Sequence, residues 1–406
     1  MNLSKRILDL QESPIRKLMP LAIQAKRLGK TVYHLNIGQP DIQTPAVFFE
    51  AIANNQEKVL KYAHSAGEPE LIKSIQAYFR KDGIDFDEDE IIITNGGSEA
   101  LIFTAIALCD PGDEIIIPEP FYTNYNGFMR QTDVKVVPIT TMAKNGFRLP
   151  SKSEIESLIT PKTKAILFSN PGNPTGVVYS ETEIKLLAEI ALEHQLFVIS
   201  DEVYRKIVFD GEESISIGSI KGIEDRAIII ESVSKRYSSC GARIGSVQSK
   251  NKTLMQQILK LAQSRLCVST INQIGAAALY QLDDDYVESV RIEYETRRNV
   301  VMAGLKEMGV ASEVPKGAFY QIVKLPVKDA EKFVRWLLTD FDVDNETVML
   351  APAEDFYATK GYGKNEVRIA YVLEAKLLKR AMEILKLGLE KYLKPDQSNI
   401  FSRKDK

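Results

Sequence analysis

Short, continuous apolar runs alternate with longer amphipathic stretches through the middle of the chain. The runs are rich in isoleucine and valine, which predicts buried β-strands. These predicted strands are EIIITN (90–95), EIIIPE (114–119), VKVVPI (134–139), KAILFSN (164–170), LFVISDE (196–202), RAIIIES (226–232) and ARIGSVQS (242–249). SEALIFTAIALCD (98–110) and ETEIKLLAEIALEHQ (181–195) lie between them and predict helices. Such alternation indicates an α/β fold with a seven-stranded, mostly parallel sheet covered on both faces.

The C-terminal part has a different pattern, in which charged helices are mixed with isolated strands. A long charged helix is predicted over 285–309, short strands over 318–326 and 366–372, and a last helix over 374–394. This order favours a smaller α+β domain. We therefore expect four regions along the chain. They are an N-terminal segment packing on the small domain (1–45), a large domain (46–290), a small domain (291–395) and a flexible tail (396–406).

Composition and charge argue against several classes of function. The 406 residues carry a net charge of -3, which gives no electrostatic reason to expect nucleic acid or an anionic membrane as a partner. Cys109, Cys240 and Cys267 are too dispersed for a disulfide framework or a thiolate metal site. No apolar run approaches the ~20 residues that span a bilayer. We expect a cytoplasmic protein without a bound metal.

Unusual short motifs follow the predicted strands at their carboxyl ends. In open α/β sheets that edge is where ligands bind. The motifs are TNGGSEA (94–100), EPFYTNY (119–125), SNPGNPTG (169–176), DEVY (201–204) and SVSKRYSSCGARIG (232–245). Their convergence on one edge predicts a ligand site more strongly than any of them alone.

Two of these motifs have simple structural explanations when each is read alone. TNGGSEA precedes a helix, and the free N–H groups at a helix start hold phosphate, but Ser98 also fits a plain helix cap. SNPGNPTG is a stiff turn in which Asn170 and Asn173 offer amides to a ligand, and a surface turn explains it equally well.

Charged residues at the ends of the next two strands have a clearer chemical meaning. Asp201 ends an apolar strand, where it caps a helix or pairs with a cationic ring nitrogen, and Tyr204 follows within reach. Lys235 leaves its strand into a water-poor pocket, where we expect its pKa to fall and its neutral amine to form a Schiff base. Ser232, Ser234 and Arg243 are suited to a phosphate.

The segment SVSKRYSSCGARIG resembles the cofactor-lysine motif of the class I aminotransferases, the fold-type I family of pyridoxal-phosphate enzymes. The resemblance covers nearly the whole chain in order. It includes IGQPD, KYAHSAGEPELIKSI, the GG-S-E-A helix start, EPFY, NPGNPTG, DEVY and NEVRIAYV. A fold-type I transferase that binds pyridoxal 5′-phosphate is therefore expected.

The resemblance implies a role for each matching residue. Lys235 binds the cofactor covalently and moves the proton between Cα and C4′, while Asp201 pairs with the pyridinium nitrogen. Tyr204 and Asn173 bond the phenolic oxygen, and Phe121 stacks on the ring. The phosphate is held by Gly97, Ser98, Ser232, Ser234 and Arg243. Arg368 clamps the substrate α-carboxylate, helped by Asn173 and the backbone of Gly38. The family is dimeric, and Tyr62 matches a tyrosine that reaches the neighbouring subunit's phosphate, which implies a homodimer.

Substrate choice depends on a second cation for a side-chain carboxylate. One aspartate aminotransferase subgroup has a lysine just after its GG pair, where this chain has Ser98 and Glu99. Arg265 in QSRLCVSTINQ (263–273) is in register with the substrate arginine of another subgroup, but RLC also resembles alanine aminotransferases. Arg265 is therefore either a substrate ligand or a structural ion-pair residue.

These features predict a transaminase that moves the amino group of an amino acid, aspartate first, to 2-oxoglutarate in ping-pong order. Alanine is the second candidate donor. A C–S or β-lyase on the same fold is an alternative, because it too proceeds through a Cα carbanion. A transcription regulator built on this fold would need an added N-terminal winged helix, and about forty residues before GQPD are too few for one.

Overall fold

A computed structural model describes residues 3–10 and 12–394 of the chain. Its α-helices are α1 (Lys5–Leu8), α2 (Met19–Arg27), α3 (Ala46–Ala53), α4 (Pro69–Arg80), α5 (Gly96–Leu108), α6 (Asn124–Gln131), α7 (Lys152–Glu156), α8 (Glu181–Glu193), α9 (Lys252–Arg265), α10 (Thr270–Tyr280), α11 (Asp284–Glu307), α12 (Ala330–Thr339) and α13 (Ala375–Leu393). Its strands are β1 (Thr31–His34), β2 (Ile91–Thr94), β3 (Glu114–Glu119), β4 (Lys135–Thr140), β5 (Thr163–Ser169), β6 (Phe197–Asp201), β7 (Ala227–Ser232), β8 (Gly245–Gln248), β9 (Tyr320–Lys324), β10 (Glu346–Met349), β11 (Ala351–Pro352) and β12 (Glu366–Ala370). The predicted flexible tail, 396–406, lies outside the described residues.

The central sheet has seven strands in the order β2-β8-β7-β6-β5-β3-β4. Neighbouring strands from β7 to β4 run parallel, and β8 runs antiparallel to both β7 and β2. Each of the seven strands predicted from the sequence is present. The prediction of a mostly parallel α/β sheet is confirmed.

Alternating side chains of the strands fill separate cores on the two faces of this sheet. In β2, Ile91 and Ile93 pack into one hydrophobic cluster and Ile92 packs into another. In β3, Ile116 belongs to the first cluster and Ile115 to the second. Each fully buried isoleucine contributes roughly 1.5–3 kcal/mol. Burial on both faces explains why the runs are continuously apolar.

The C-terminal region has its own core and a three-stranded antiparallel sheet in the order β11-β12-β9. The N-terminal segment joins it, because β1 pairs in parallel with β10 and places Val32 opposite Thr347. Leu18 and Ala22 of the N-terminal segment are buried in the same core as Phe333. Strand β1 was not predicted from the sequence.

The longest helices are amphipathic or charged. Helix α11 has 24 residues and begins with Asp284 and Asp285 in its first turn. Within the part of the chain that the structure describes, no helix combines the length and apolar character needed to cross a membrane.

Candidate active site

A cavity of ≈660 Å³ opens at the carboxyl ends of the central strands and contains most of the predicted site residues. The predicted residues that line it are Gly38, Gly97, Ser98, Asn173, Asp201, Tyr204, Ser232, Ser234, Lys235, Arg243 and Arg368. Segments that are far apart in sequence thus line one cavity at the edge of the sheet. Phe121, Arg265 and Tyr62 are not among the lining residues.

One end of the cavity is built to bind an anion. Helix α5 begins at Gly96, two residues earlier than predicted, so the glycine pair forms its first turn. A Cβ atom on Gly245 would lie 2.5 Å from the carbonyl carbon of Gly96, so a side chain there would prevent β8 from approaching the helix start. The Arg243 guanidinium donates to the Asn95 carbonyl at 3.2 Å and lies beside the same turn. Helix N–H groups, the serine hydroxyls and this guanidinium suit a phosphate.

Asp201 is a buried carboxylate at the end of β6. The Tyr125 hydroxyl donates to its Oδ2 at 2.6 Å, and the Val203 N–H lies 3.4 Å from its Oδ1. Burial raises the pKa of Asp201 to about 6, although the Tyr125 hydrogen bond acts in the opposite direction. No Lys or Arg of the described residues forms an ion pair with it. An ionised Asp201 would therefore be stabilised by a cation brought into the cavity.

Lys235 projects from the loop after β7 into the cavity. Its Nζ donates to the Gly38 carbonyl at 3.1 Å and lies 3.9 Å from the Cys240 Sγ. Burial lowers the pKa of Lys235, but the oxygens of Tyr320 and Tyr122 and the Cys240 thiol outweigh burial and leave it above its usual value. The expectation of a lowered pKa was wrong, because it considered burial without these electron-rich neighbours.

Tyr320, at the start of β9, is a cavity residue that the sequence reasoning missed. Its hydroxyl lies 2.9 Å from the Tyr204 hydroxyl. A Cβ on Gly38 would lie only 1.6 Å from the Tyr320 hydroxyl, so position 38 must be glycine for this side chain to fit. Alternation along the predicted strand 318–326 was the available signal, but it does not say which face meets the cavity.

Arg368 of β12 is buried, with 1% of its surface exposed. Its Nη1 donates to the Asn173 Oδ1 at 3.0 Å and its Nη2 to the Asn36 carbonyl at 2.6 Å, whereas its Nε has no partner among the described residues. The Tyr320 ring lies 4.4 Å from the Arg368 guanidinium carbon. Burial lowers the pKa of Arg368. A buried guanidinium without a carboxylate partner suits the binding of an incoming anion.

The aromatic residue predicted to stack on a cofactor ring requires a correction. Phe121 is 2% exposed, packs in the core at 6.2 Å from Tyr125, and does not line the cavity. Its neighbour Tyr122 does line it. The chain leaves strand geometry after β3, so the two-residue alternation that would choose between adjacent aromatics no longer applies.

The remaining two predicted residues lie apart from the cavity lining. Arg265 Nε is 3.6 Å from Glu99 Oε2, and its Nη2 donates to the Ile93 carbonyl at 3.1 Å. The Glu99 contact is the one that the ion-pair alternative requires, whereas Arg265 Nε and Nη1 have no hydrogen-bond partner among the described residues. The substrate alternative for Arg265 stays a prediction. Tyr62 is 80% exposed.

Comparison with known proteins identifies the family of the chain. The family model described as aminotransferase class I and II matches residues 30–385. The chain is 32% identical to an aspartate aminotransferase of Bacillus subtilis, over 97% of this chain and 100% of the relative. It is also 32% identical to aromatic-amino-acid aminotransferase 2 of Thermococcus litoralis, over 97% of this chain and 99% of the relative.

A solved structure extends the comparison to the fold. An alanine aminotransferase from Pyrococcus furiosus superposes with a TM-score of 0.87 at 32% identity, covering 96% of this chain and 100% of that one. Enzymes named for three different amino donors thus resemble this chain to the same degree. Overall similarity does not distinguish among the donors.

Proposed function

The chain belongs to the class I and II aminotransferase family, and we propose that it transfers the amino group of aspartate to 2-oxoglutarate by a ping-pong mechanism. It is a pyridoxal 5′-phosphate-dependent aminotransferase. One observation carries the assignment of its site. The amine of Lys235, the buried carboxylate of Asp201 and the buried guanidinium of Arg368 line a single cavity, and among the described residues neither Asp201 nor Arg368 forms an ion pair. The guanidinium suits the carboxylate of an amino acid, the carboxylate suits a cationic ring nitrogen, and the amine suits covalent attachment of the cofactor.

The residues of the cavity fit pyridoxal 5′-phosphate. The anion-binding end, formed by the first turn of α5 with Ser232, Ser234 and Arg243, would hold the phosphate. Asp201, whose pKa is raised to about 6 by burial, would gain a cationic partner in the ring nitrogen. Tyr204 and Asn173 would bond the phenolic oxygen, and Tyr122 replaces Phe121 as the proposed stacking residue. When bound, the cofactor supplies the electron-withdrawing ring that stabilises negative charge at the substrate Cα.

The chain's own residues bind the substrate and move its proton. Arg368 would bind the α-carboxylate bidentately, because Asn173 and the Asn36 carbonyl hold its guanidinium in a fixed plane. Lys235 Nζ, once neutral, would take the proton from Cα. Positioned general bases contribute roughly 10²–10⁴-fold in rate. Because one amine serves as the base, the same site can process the amino donor and then the oxo-acid acceptor.

A homodimer is part of this proposal. The exposed Tyr62 supports it, since a tyrosine that binds the phosphate of a neighbouring subunit must extend away from its own chain. Equilibrium sedimentation at micromolar concentration should give the mass of two chains.

The test is a donor panel with the cofactor-loaded enzyme. Aspartate plus 2-oxoglutarate should give glutamate and oxaloacetate, and aspartate without an acceptor should convert the bound cofactor stoichiometrically to its aminated form. Failure of aspartate while another donor reacts would refute aspartate as the donor, and failure of aspartate, alanine and aromatic donors alike would refute the proposed transamination. Cystathionine tests the lyase alternative, because release of pyruvate and ammonia without an acceptor would identify that reaction.

A further inference from the structure

The charged side chains that line the cavity are unequal in number. Arg16, Lys235, Arg243 and Arg368 are cationic, whereas Asp201 is the one carboxylate among the described lining residues. In the proposed function Arg243 binds the phosphate, Arg368 binds the α-carboxylate and Lys235 binds the cofactor. Arg16 is therefore left without an anion.

A buried asparagine fixes the turn that carries Arg16 beside the α-carboxylate arginine. The Asn36 amide donates to the Ile15 carbonyl at 3.0 Å, and the Asn36 carbonyl accepts from Arg368 Nη2 at 2.6 Å. Asn36 itself is 0% exposed. Within the turn, the Arg16 N–H donates to the Ser13 carbonyl at 2.9 Å. The backbone of this turn is thus tied to the side of the cavity that holds Arg368, and the Arg16 side chain, which is exposed, lines the same cavity.

The next residue shows that the charge on Arg16 is not needed to anchor this turn. Lys17 Nζ forms ion pairs with Glu331 at 2.5 Å and Asp355 at 2.7 Å, and these bind the turn to the C-terminal region. Across residues 3–10 and 12–394, no carboxylate forms an ion pair with Arg16. Two adjacent cations are therefore used differently. Lys17 holds the turn in place, and Arg16 faces the cavity unpaired.

We propose that Arg16 binds the side-chain carboxylate of the substrate and makes the site selective for dicarboxylic amino acids and oxo acids. This inference rests on the proposed function, because it assumes that Arg368 takes the α-carboxylate. A guanidinium is suited to the task, since it binds a carboxylate through two parallel hydrogen bonds. Arg265, the candidate from the sequence, lies outside the lining of this cavity, 3.6 Å from Glu99 and with its Nη2 donating to the Ile93 carbonyl.

The experiment compares the binding of two unreactive acids to the cofactor-loaded enzyme by calorimetry. Succinate carries two carboxylates and propionate carries one. Wild-type enzyme should bind succinate roughly 10- to 100-fold more tightly, as expected for one charge-assisted contact. Arg16→Met should remove this preference and leave propionate unchanged. Arg27→Met, an exposed arginine of α2, is the matched control and should behave as wild type.

Donor kinetics give an independent measurement. Arg16→Met should lower kcat/KM for aspartate and glutamate by a similar factor and leave alanine unchanged. The inference is overturned if Arg16→Met retains the succinate preference, if it weakens both acids equally, or if Arg265→Met is the variant that loses the preference. Each of these results, obtained with an enzyme that still transaminates aspartate, leaves the proposed function intact. An enzyme that prefers succinate through Arg16 but transaminates no donor would retain this site and refute the proposed function.

Discussion

The ends of β6 and β7 each place charged residues on two sides of the sheet edge, and the two sides differ in how those charges are paired. On the cavity side, Asp201 and Lys235 have no oppositely charged partner within ion-pair distance among the described residues. On the other side, Glu202 lies 3.5 Å from Arg205, and Glu231 lies 3.1 Å from Arg236. The residues in these pairs are also buried.

The buried pairs have additional partners that make them part of the structure. The Tyr78 hydroxyl bonds both Glu231 and Arg236, and its ring lies 4.1 Å from the Arg236 guanidinium carbon. Glu202 accepts from the Ser216 hydroxyl at 2.9 Å. A buried charge with partners supports the fold, whereas a buried charge without one lowers stability until a ligand supplies the countercharge. The Glu231–Arg236 pair is therefore the structural counterpart of the unpaired Asp201 and Lys235, whereas burial raises the pKa of Glu202 to about 7 despite Arg205 and the Ser216 hydroxyl.

Lys235→Ala should have the largest effect on activity. The variant loses both covalent cofactor attachment and the proposed base, so kcat should fall by about 10⁴-fold. Lys185→Ala, at a solvent-exposed position of α8, is the control for activity. Transaminase activity above about 1% of wild type would contradict the assignment.

Arg236→Met should mainly lower the stability of the fold, whereas Lys235→Ala mainly lowers activity. Removing one partner of a buried ion pair costs about 3–5 kcal/mol, because the fully buried Glu231 is left unpaired. Urea denaturation of the cofactor-free protein measures the change. Adding Glu231→Gln to the variant should recover part of the loss, since the unpaired charge is removed. A loss below about 1 kcal/mol would mean that the pair does not stabilise the fold.

Asp201→Asn should stabilise the cofactor-free protein above pH 6. The folded pKa of Asp201, about 6, lies above its unfolded value, so the wild type loses stability as the pH rises from about 4 to 6. The variant should lack this loss. Its free energy of unfolding should exceed that of wild type by roughly 3 kcal/mol at pH 7 and should equal it at pH 3.5.

Asp210→Asn is a control, because its change in the free energy of unfolding should have the opposite sign. The Arg298 guanidinium, at 2.7 and 2.8 Å from the two carboxylate oxygens, holds the pKa of Asp210 below its usual range. That variant should lose stability above pH 4 relative to wild type. If Asp201→Asn showed the same sign as Asp210→Asn, the distinction between the two sides of the sheet edge would fail.

Tyr320→Phe should have the smallest effect, because it removes one hydroxyl contact and keeps the ring on Arg368. The Tyr204 hydroxyl would lose its partner at 2.9 Å, which corresponds to roughly 0.5–1.5 kcal/mol or 2- to 10-fold in kcat/KM. Steady-state kinetics with aspartate measures it, with Tyr392→Phe as the matched control. Equal kinetics of the two variants would show that the contact does not position Tyr204.

Much of the large domain could be predicted because its strands are buried on both faces. Runs such as AIII in β7 are apolar at every position, which is typical of a strand that is buried on both faces of a parallel sheet. Strand β1 was missed because TVYH is short and only partly buried. Its partner β10 lies more than three hundred residues further along the chain, and no local pattern indicates such pairing.

The residues of the site also fall into those that could be predicted from the sequence and those that could not. Lys235, Asp201 and Arg368 could be predicted because each follows or ends a strand whose position in the sheet is determined by its apolar pattern. Tyr122 was confused with Phe121 because the chain there is irregular. Arg16 was missed because its turn reaches the cavity through Asn36, a contact that only the folded chain creates.

The most direct test of the account is to locate the cofactor on the chain. Enzyme loaded with pyridoxal 5′-phosphate is reduced with borohydride, digested, and its peptides are sequenced by mass spectrometry. The account predicts one modified residue, Lys235, and no modification in Lys235→Ala. A modification at another lysine, such as Lys206, or an unmodified chain after full reduction would contradict it.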